Sequence, residues 1–211
     1  MSSDNKPVSA IVLAAGLSSR MGVQKLLLPW QGTTVIGAVV DTLKKAGIDE
    51  VIVVTGRDAN LVDAEMSRRQ VSAVFNPLFA NGSMLDSLKT GMAALSESSK
   101  AFLLVLGDQP QMEAETVLAV VKVWQDKPEQ LCIPSWQMRR GHPWMVPMNY
   151  WQEIQGMPAE STLRELLSAH TADIQYVVVE SATIMADLDT REAYDAAVKS
   201  QHPRARKEEK D

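Results

Sequence analysis

Short, nearly uninterrupted apolar runs alternate along this chain with longer segments of helical period. The runs are rich in β-branched or large apolar residues and lie at residues 8–14, 51–55, 71–75, 102–106 and 176–179. Apolar runs that do not alternate with polar residues are typical of strands covered on both faces. Strands of this kind alternating with helices predict an α/β fold, with a mainly parallel sheet and helices on both of its faces.

The segments between the runs carry the helical signal. Apolar residues recur at helical spacing in 36–43 and in 84–95, and a further helix is predicted over 113–124. Ser83 and Asp86 have the spacing of a capping pair at the start of the second of these helices. The segment 134–158 interrupts the alternation of predicted strands and helices and contains four prolines and three tryptophans. We expect it to form an inserted loop or hairpin over one edge of the sheet.

Length and composition limit the classes of protein to which this chain can belong. The 211 residues fit a single domain over residues 1–200, followed by a polar tail over 201–211 that is predicted to be disordered. A net charge of −5 argues against a general nucleic-acid-binding protein, which needs a clustered basic face. One cysteine excludes an internal disulfide, and the longest apolar run, 10–17, is far shorter than a membrane span. We therefore expect a cytoplasmic protein without nucleic-acid or membrane partners.

The first predicted strand runs into a glycine-containing loop, residues 13–25, that carries most of the functional signal. Small residues at 14–16 let another group approach the backbone closely, and successive backbone N–H groups in such a turn bind anions. Arg20 adds a forked cation and Lys25 a compact one, so that both can meet phosphate oxygens. The pattern is neither a Walker loop nor a dinucleotide-binding fingerprint. A surface turn with solvated cations remains the alternative.

The sequence of this loop resembles the signature of the MobA-like nucleotidyltransferases. It reads Leu13-Ala14-Ala15-Gly16-x-Ser18-x-Arg20-Met21-Gly22-x-x-Lys25. Its first four residues are similar to those of the MocA-type branch, the molybdenum cofactor cytidylyltransferases, whereas the guanylyl-transferring branch tends to read Leu-Ala-Gly-Gly. The resemblance spans about residues 8–198 and implies a three-layer, Rossmann-like fold of the nucleotide-diphospho-sugar transferase type. It implies catalytic roles for Arg20 and Lys25. It also implies that the nucleotide is bound by Leu13, Ala14, Ala15, Gly16, Ser18, Arg20 and Lys25.

Two acidic segments follow later strands. Asp108 comes directly after the run 102–106 in Gly107-Asp108-Gln109-Pro110, which resembles the family's Gly-Asp-x-Pro element and implies a catalytic, Mg²⁺-binding role. Asp189, with Asp187 as the alternative, lies in a segment similar to the family's second metal-binding element, Asp-Ile-Asp-Thr. Mg²⁺ commonly uses one or two carboxylates together with substrate phosphates. A helix-capping role remains open for Asp108, and for Asp189 with Thr190.

Two further segments resemble family elements on the base side and the acceptor side. Residues 76–91 contain the Asn-Pro…Gly-x-x-x-Ser-Leu-x-x-Gly pattern, and by resemblance Gly82, Ser83 and Ser87 line the base pocket. Backbone N–H groups of Gly82 and Ser83 and the Ser83 hydroxyl can then contact the base, and a well-capped helix start, which is compatible with this role, accounts for the same residues. Gly141 and His142 belong to a Gly-His-Pro element similar to one on the acceptor side of MocA-type proteins. A structural or solvated histidine is the alternative there.

The resemblance implies a reaction as well as a site. CMP from CTP is transferred onto the phosphate of a molybdopterin-type cofactor, with release of pyrophosphate and dependence on Mg²⁺, and a molybdenum hydroxylase is the implied client. Transfer to another phosphorylated acceptor, such as a sugar or alcohol phosphate, remains open. A non-catalytic accessory protein that delivers cofactor also remains open. A NAD-linked oxidoreductase is a further alternative, which the missing dinucleotide-binding fingerprint disfavours.

Overall fold

The computed structural model describes residues 7–16 and 23–200 of the protein. The strands are β1 (Val8–Ala14), β2 (Pro29–Trp30), β3 (Thr33–Thr34), β4 (Glu50–Thr55), β5 (Ser72–Phe75), β6 (Ala101–Leu106), β7 (Leu131–Trp136), β8 (Arg139–Arg140), β9 (Trp144–Pro147) and β10 (Ile174–Val178). The α-helices are α1 (Val35–Lys45), α2 (Ala59–Arg68), α3 (Met84–Met92), α4 (Ala114–Asp126), α5 (Trp151–Gly156), α6 (Leu163–Ala169) and α7 (Arg191–Ser200). Short 3-10 helices lie at Lys25–Leu27, Met148–Tyr150, Thr171–Asp173 and Ala182–Met185. None of the helices in this part of the chain has the length and apolar character needed to cross a membrane.

Eight of the described strands form one sheet, in the order β10-β7-β9-β6-β1-β4-β5, with β8 paired to β7. β1 is parallel to β4 and to β6, β4 is parallel to β5, and β10 is parallel to β7. β9 is antiparallel to both of its neighbours. Leu13 pairs with Val54 on one side and with Leu106 on the other, so the three central strands end at the same edge. The predicted α/β fold with a mainly parallel sheet is confirmed.

The sheet is buried on both faces, which explains why the apolar runs do not alternate. In β1, Ala10, Val12 and Ala14 belong to one core, which is completed by α1, α2, α4 and α7. Ile11 and Ala15 belong to a second core, which is completed by α3, α5 and α6. Each strand of this kind needs apolar side chains in both directions. The three-layer, Rossmann-like arrangement implied by the sequence resemblance is therefore confirmed.

The segment 134–158 is where the structure departs from the sequence prediction. It contributes the end of β7, the hairpin strand β8 and all of β9. β9 lies between β6 and β7, inside the sheet, so the expected placement over one edge is wrong. Met145 of β9 pairs with Leu103 and Cys132 on its two sides, and all three are fully buried. Proline usually marks edge strands, and the prolines here concealed a strand that pairs on both sides.

Helix α3 packs closely on the sheet at Gly91, and this contact gives a stability prediction. A Cβ atom at Gly91 would overlap Ile11 Cγ2 and lie 2.9 Å from Val54 Cγ2. We expect Gly91→Ala to lower the free energy of unfolding by about 1–2 kcal/mol, because overpacking outweighs the gain in helix propensity. Urea denaturation measures the change. Gly156→Ala is the matched control, since a Cβ at Gly156 meets nothing within 4 Å; equal stability of the two variants would contradict the prediction.

Candidate functional site

A cavity of about 400 Å³ opens at the edge of the sheet where β1 and β6 end. In open parallel sheets this carboxyl edge is where ligands bind. The cavity is lined by Leu13, Ala14, Ala15, Gly16, Lys25, Leu26, Phe79, Gly82, Ser83, Met84, Ser87, Leu106, Asp108, Asp187 and Asp189. These include every residue of the predicted nucleotide and metal sites that the structure describes. Ser18 and Arg20 lie outside the described residues, as does the tail 201–211, and the predictions for them stay predictions.

Lys25 joins two carboxylates in this cavity. Its Nζ donates to Asp108 Oδ2 at 2.6 Å and to Asp189 Oδ1 at 3.1 Å. The side chains of Lys25 and Asp108 are 14% and 19% exposed, whereas that of Asp189 is 47% exposed. Burial lowers the pKa of Lys25, but the carboxylates of Asp108 and Asp189 outweigh burial and raise this pKa above its usual value. Three residues that are distant in sequence thus form one cluster of two acids and a cation.

Backbone hydrogen bonds hold the two acidic segments together. The Gly107 N–H donates to Leu13 O at 3.0 Å, which ties the turn after β6 to the end of β1. The Leu188 N–H donates to Asp108 O at 3.1 Å, which fixes the segment containing Asp189 against the first acid. The positions of the two carboxylates are therefore set by the main chain as well as by their ion pairs.

Of the helix-capping roles that the sequence left open, the structure supports the one for Thr190 and not the one for Asp108. The N-cap residue of α4 is Glu113, five positions after Asp108. At the start of α7, the Ala193 N–H donates to Thr190 Oγ1 at 3.1 Å. Thr190 therefore caps α7, while the carboxylate of Asp189 pairs with the cavity's cation.

Asp187, the alternative second acid, lies beside the same cluster. Burial raises the pKa of Asp187 above its usual value, and the carboxylates of Asp189 and Asp108 raise it further. Asp187 lines this cavity and also a second, adjoining one. Its place between the two cavities differs from that of Asp189, which pairs directly with Lys25.

The described residues fit a divalent cation that shares its coordination with a substrate. No group of three or more His, Cys, Asp or Glu side chains among them is placed to hold a metal ion. Asp108 and Asp189 nevertheless direct carboxylate oxygens at one positive charge, the ammonium group of Lys25. Two carboxylates completed by phosphate oxygens are a common arrangement for Mg²⁺. The donor set therefore suits a divalent metal completed by a phosphate-bearing ligand.

The start of α3 forms one wall of the cavity, and the N–H groups of Gly82 and Ser83 there are already paired. Ser83 and Asp86 form the predicted capping box, in which the Ser83 N–H donates to Asp86 Oδ2 at 2.6 Å and the Asp86 N–H donates to Ser83 Oγ at 3.3 Å. The Gly82 N–H donates to Leu78 O at 2.6 Å. In this structure the turn and the cap use the N–H groups of Gly82 and Ser83, so the well-capped helix start accounts for these residues.

Ser87 takes part in a contact that shapes the same wall. Asn76 Nδ2 donates to Ser87 Oγ at 3.0 Å, and Asn76 Oδ1 accepts from the Leu78 N–H at 2.9 Å. Asn76 is almost fully buried, so these bonds hold the loop after β5 against α3. Ser87 both fixes this loop and lines the cavity.

Sequence reasoning missed Gly56 and Phe79. A Cβ atom at Gly56 would lie 2.5 Å from Ala15 O and 2.6 Å from Phe79 Cβ, so a side chain there would push the chain after β4 away from the glycine loop. Phe79 itself lines the cavity. A signal for Gly56 exists in the sequence: like Gly16 and Gly107, it closely follows an apolar run.

A second cavity, of about 910 Å³, adjoins the first and is lined by both predicted acceptor residues, Gly141 and His142. The His142 ring stacks on Trp144 with centroids 4.6 Å apart, and its Nδ1 lies 3.3 Å from Leu104 O. Because a carbonyl oxygen only accepts, this contact assigns the proton to Nδ1. Burial lowers the pKa of His142 to about 4, so the ring is neutral at pH 7.

Gly141 is explained by close packing. A Cβ atom at this position would overlap Ile184 O. The His142 N–H donates to Ile184 O at 2.9 Å, and the Gly141 N–H donates to Pro134 O at 3.0 Å. The segment is therefore held between β7 and the 3-10 helix Ala182–Met185, which places the histidine ring at the cavity wall.

The chain matches a protein family and is similar in sequence to individual proteins. The family model described as MobA-like NTP transferase domain matches residues 10–174. The molybdenum cofactor cytidylyltransferase of Escherichia coli (strain K12) is 29% identical over 187 residues, which cover 87% of this chain and 91% of that protein. The nicotine blue oxidoreductase of Paenarthrobacter nicotinovorans is 29% identical over 147 residues, which cover 66% of this chain and 70% of that protein.

The chain is also similar to solved structures. The crystal structure of Rv0371c from Mycobacterium tuberculosis H37Rv has a TM-score of 0.80 at 26% identity, covering 92% of this chain and 99% of that one. The complex of the same protein with manganese has a TM-score of 0.77 at 25% identity, with the same coverage. A divalent metal is thus bound by a protein that shares this fold.

Proposed function

We propose that this chain transfers the cytidylyl group of CTP to the phosphate of the molybdenum cofactor. The chain belongs to the MobA-like NTP transferase family and is a nucleotidyltransferase. An oxygen of the acceptor phosphate bonds to the α-phosphorus of CTP, and the bond from this phosphorus to the bridging oxygen breaks. Pyrophosphate leaves with the electron pair of that bond. The product contains a new phosphoanhydride linkage.

One observation supports this proposal most strongly: Lys25, Asp108 and Asp189 meet at the carboxyl edge of the sheet, in the cavity lined by residues 13–16. Transfer of a phosphorus-centred group depends on positioning and on neutralising negative charge more than on a protein nucleophile. Lys25, together with a divalent cation that the two acids would hold, would supply the positive charge. The small residues 13–16 allow a phosphate to approach the main chain. The cavity therefore offers both requirements.

Each residue of the cluster has a proposed role. Lys25 binds the triphosphate as a compact point charge, and Arg20, outside the described residues, adds a forked one. Asp108 and Asp189 are the residues that would hold Mg²⁺, and this ion, when bound, would supply further neutralisation of the phosphate charge. Residues 13–16 position the phosphates against the backbone.

The choice of CTP and of the acceptor has two supports. Residues 13–16 have the sequence Leu-Ala-Ala-Gly, which is similar to that of the cytidylyl-transferring branch. The Escherichia coli relative carries the name molybdenum cofactor cytidylyltransferase. The relative named nicotine blue oxidoreductase makes a redox activity one of the outcomes to be tested.

Pyrophosphate release tests the proposal. The full chain is incubated with each of the four ribonucleoside triphosphates, Mg²⁺ or Mn²⁺, and molybdenum cofactor released from a purified molybdenum enzyme. We expect kcat/KM with CTP to exceed that with GTP by at least about tenfold. We expect EDTA to stop the reaction and added Mg²⁺ to restore it. A preference for GTP would overturn the assignment of CTP.

Two other outcomes would favour the competing functions. Binding of the cofactor without pyrophosphate release from any triphosphate would favour an accessory protein that delivers cofactor. Oxidation of NADH or NADPH by a dye acceptor, at a rate that EDTA does not change, would favour an oxidoreductase. Either result would replace the transferase proposal, because each lacks the transfer of a nucleotidyl group.

A further inference from the structure

The second cavity has a charge opposite in sign to that of the whole chain. Among the residues that the structure describes, three arginines line it, Arg139 and Arg140 from β8 and Arg164 from α6. The same described lining contains one carboxylate, Asp187, and one histidine, His142, which is neutral at pH 7. The chain as a whole carries a net charge of −5. A concentration of positive charge in one cleft of an acidic protein focuses the field on an anionic ligand.

The three arginines differ in how they are held. Arg140 donates to the hydroxyl of Tyr176, and its guanidinium carbon lies 5.3 Å from the centre of the Tyr176 ring. Arg139 and Arg164 are exposed residues of the cavity lining, and neither forms an ion pair with a carboxylate of the described residues. Unpaired guanidinium groups facing a cavity are suited to bidentate contacts with phosphates, carboxylates and other oxyanions. Arg140 is fixed by the protein, while Arg139 and Arg164 have donors to offer a ligand.

The two cavities meet at residues that line both of them. Ser83, Met84, Leu106 and Asp187 belong to both linings, so the reacting phosphate of an acceptor has to lie near this junction. The second cavity, at about 910 Å³, is more than twice as large as the first, at about 400 Å³. It has room for a ligand much larger than a phosphate group. Arg139, Arg140 and Arg164 do not line the first cavity and are not among the shared residues, so they are placed to meet a part of the acceptor other than its reacting phosphate.

We propose that Arg139 and Arg164 select an acceptor with a second anionic group, separate from the phosphate that receives the nucleotide. This inference rests on the proposed transferase function and narrows its acceptor. Acceptors with a single phosphate and a neutral remainder, such as simple sugar or alcohol phosphates, leave both guanidinium groups without a partner. Arg140, which contacts Tyr176, is not part of this proposal.

The experiment measures acceptor recognition in Arg139→Gln, Arg164→Gln and the double variant. The acceptors are molybdenum cofactor and, as the probe with one anionic group, glucose 1-phosphate. Pyrophosphate release gives KM for each acceptor and for CTP, and calorimetry gives the affinity of the cofactor without CTP. Arg68→Gln is the matched control, because Arg68 is an exposed arginine of α2 that does not line the cavity.

We expect each single variant to raise KM for the cofactor about tenfold and the double variant to raise it further, with KM for CTP within about twofold of the wild type. We expect cofactor binding to weaken with added NaCl in the wild type and much less in the double variant. Glucose 1-phosphate is expected to be a poor acceptor for every variant.

The inference and the proposed function fail in different ways. Unchanged cofactor affinity in the double variant, no cofactor binding by the wild type, or equal use of glucose 1-phosphate would each overturn the inference. Arginine-dependent binding of the cofactor with no pyrophosphate release from any triphosphate would overturn the proposed function, while the assignment of Arg139 and Arg164 to a second anionic group of the bound cofactor would stand.

Discussion

Replacing Asp108 by Asn is expected to lower kcat for pyrophosphate release by at least about 100-fold and to leave the fold unchanged. Asparagine has the same shape and keeps an oxygen that accepts from Lys25, but it removes one of the two negative charges of the cluster. A neutral amide oxygen is a weaker ligand than a carboxylate for a hard divalent cation, so the Mg²⁺ concentration for half-maximal rate should rise. Initial rates at varied Mg²⁺ measure both effects, and a thermal melt checks the fold.

Asp126→Asn is the matched control for this change. Asp126 is exposed at the end of α4 and does not line the cavity, so we expect wild-type kinetics from this variant. A wild-type rate in Asp108→Asn would remove Asp108 from the mechanism. A melt shifted far below that of Asp126→Asn would instead assign Asp108 a structural role.

Replacing Lys25 by Met is expected to change the affinities for triphosphate and metal in opposite directions. Affinity for CTP should fall about tenfold or more, because the variant loses the cation that meets the phosphates. Affinity for Mn²⁺ alone should rise about tenfold, because Nζ of Lys25 no longer competes for the oxygens of Asp108 and Asp189, which it contacts at 2.6 and 3.1 Å. Calorimetry with CTP and electron paramagnetic resonance of Mn²⁺ without nucleotide measure the two affinities separately.

Lys45→Met is the matched control for this variant. Lys45 is a lysine of α1 whose side chain is 73% exposed and whose Nζ lies 3.9 Å from Glu115 Oε1. It does not line the cavity that contains Lys25. We expect neither affinity to change in it. If Mn²⁺ binding were the same in Lys25→Met and the wild type, Lys25 would not compete with metal for the two carboxylates. If CTP binding were also unchanged, the triphosphate site would lie elsewhere.

The sequence predicted the parts of the site that depend on strand order along the chain. Continuous apolar runs identified β1 and β6, and both strands end at the same edge because parallel strands share a direction. Residues placed just after the runs, such as Ala15, Gly16 and Asp108, were therefore expected near one another, and all three line one cavity. Local spacing was sufficient for the Ser83–Asp86 capping box as well.

The sequence failed where a backbone partner comes from a distant segment. β9 was missed because its prolines suggested an edge, whereas β6 and β7 pair with it on both sides. The role of Gly141 became clear only from its approach to Ile184 O.

What the sequence determined by itself is the α/β fold, the edge at which the functional residues gather and the family to which the chain belongs. These follow from the periodicity of apolar residues and from short sequence motifs, which are local properties of the chain. Only the tertiary structure decided that Lys25 bridges Asp108 and Asp189, and that arginines from β8 and α6 face one cavity. Charges so far apart in sequence meet only when the chain folds, because their distance depends on the packing of strands and helices and not on their separation along the chain.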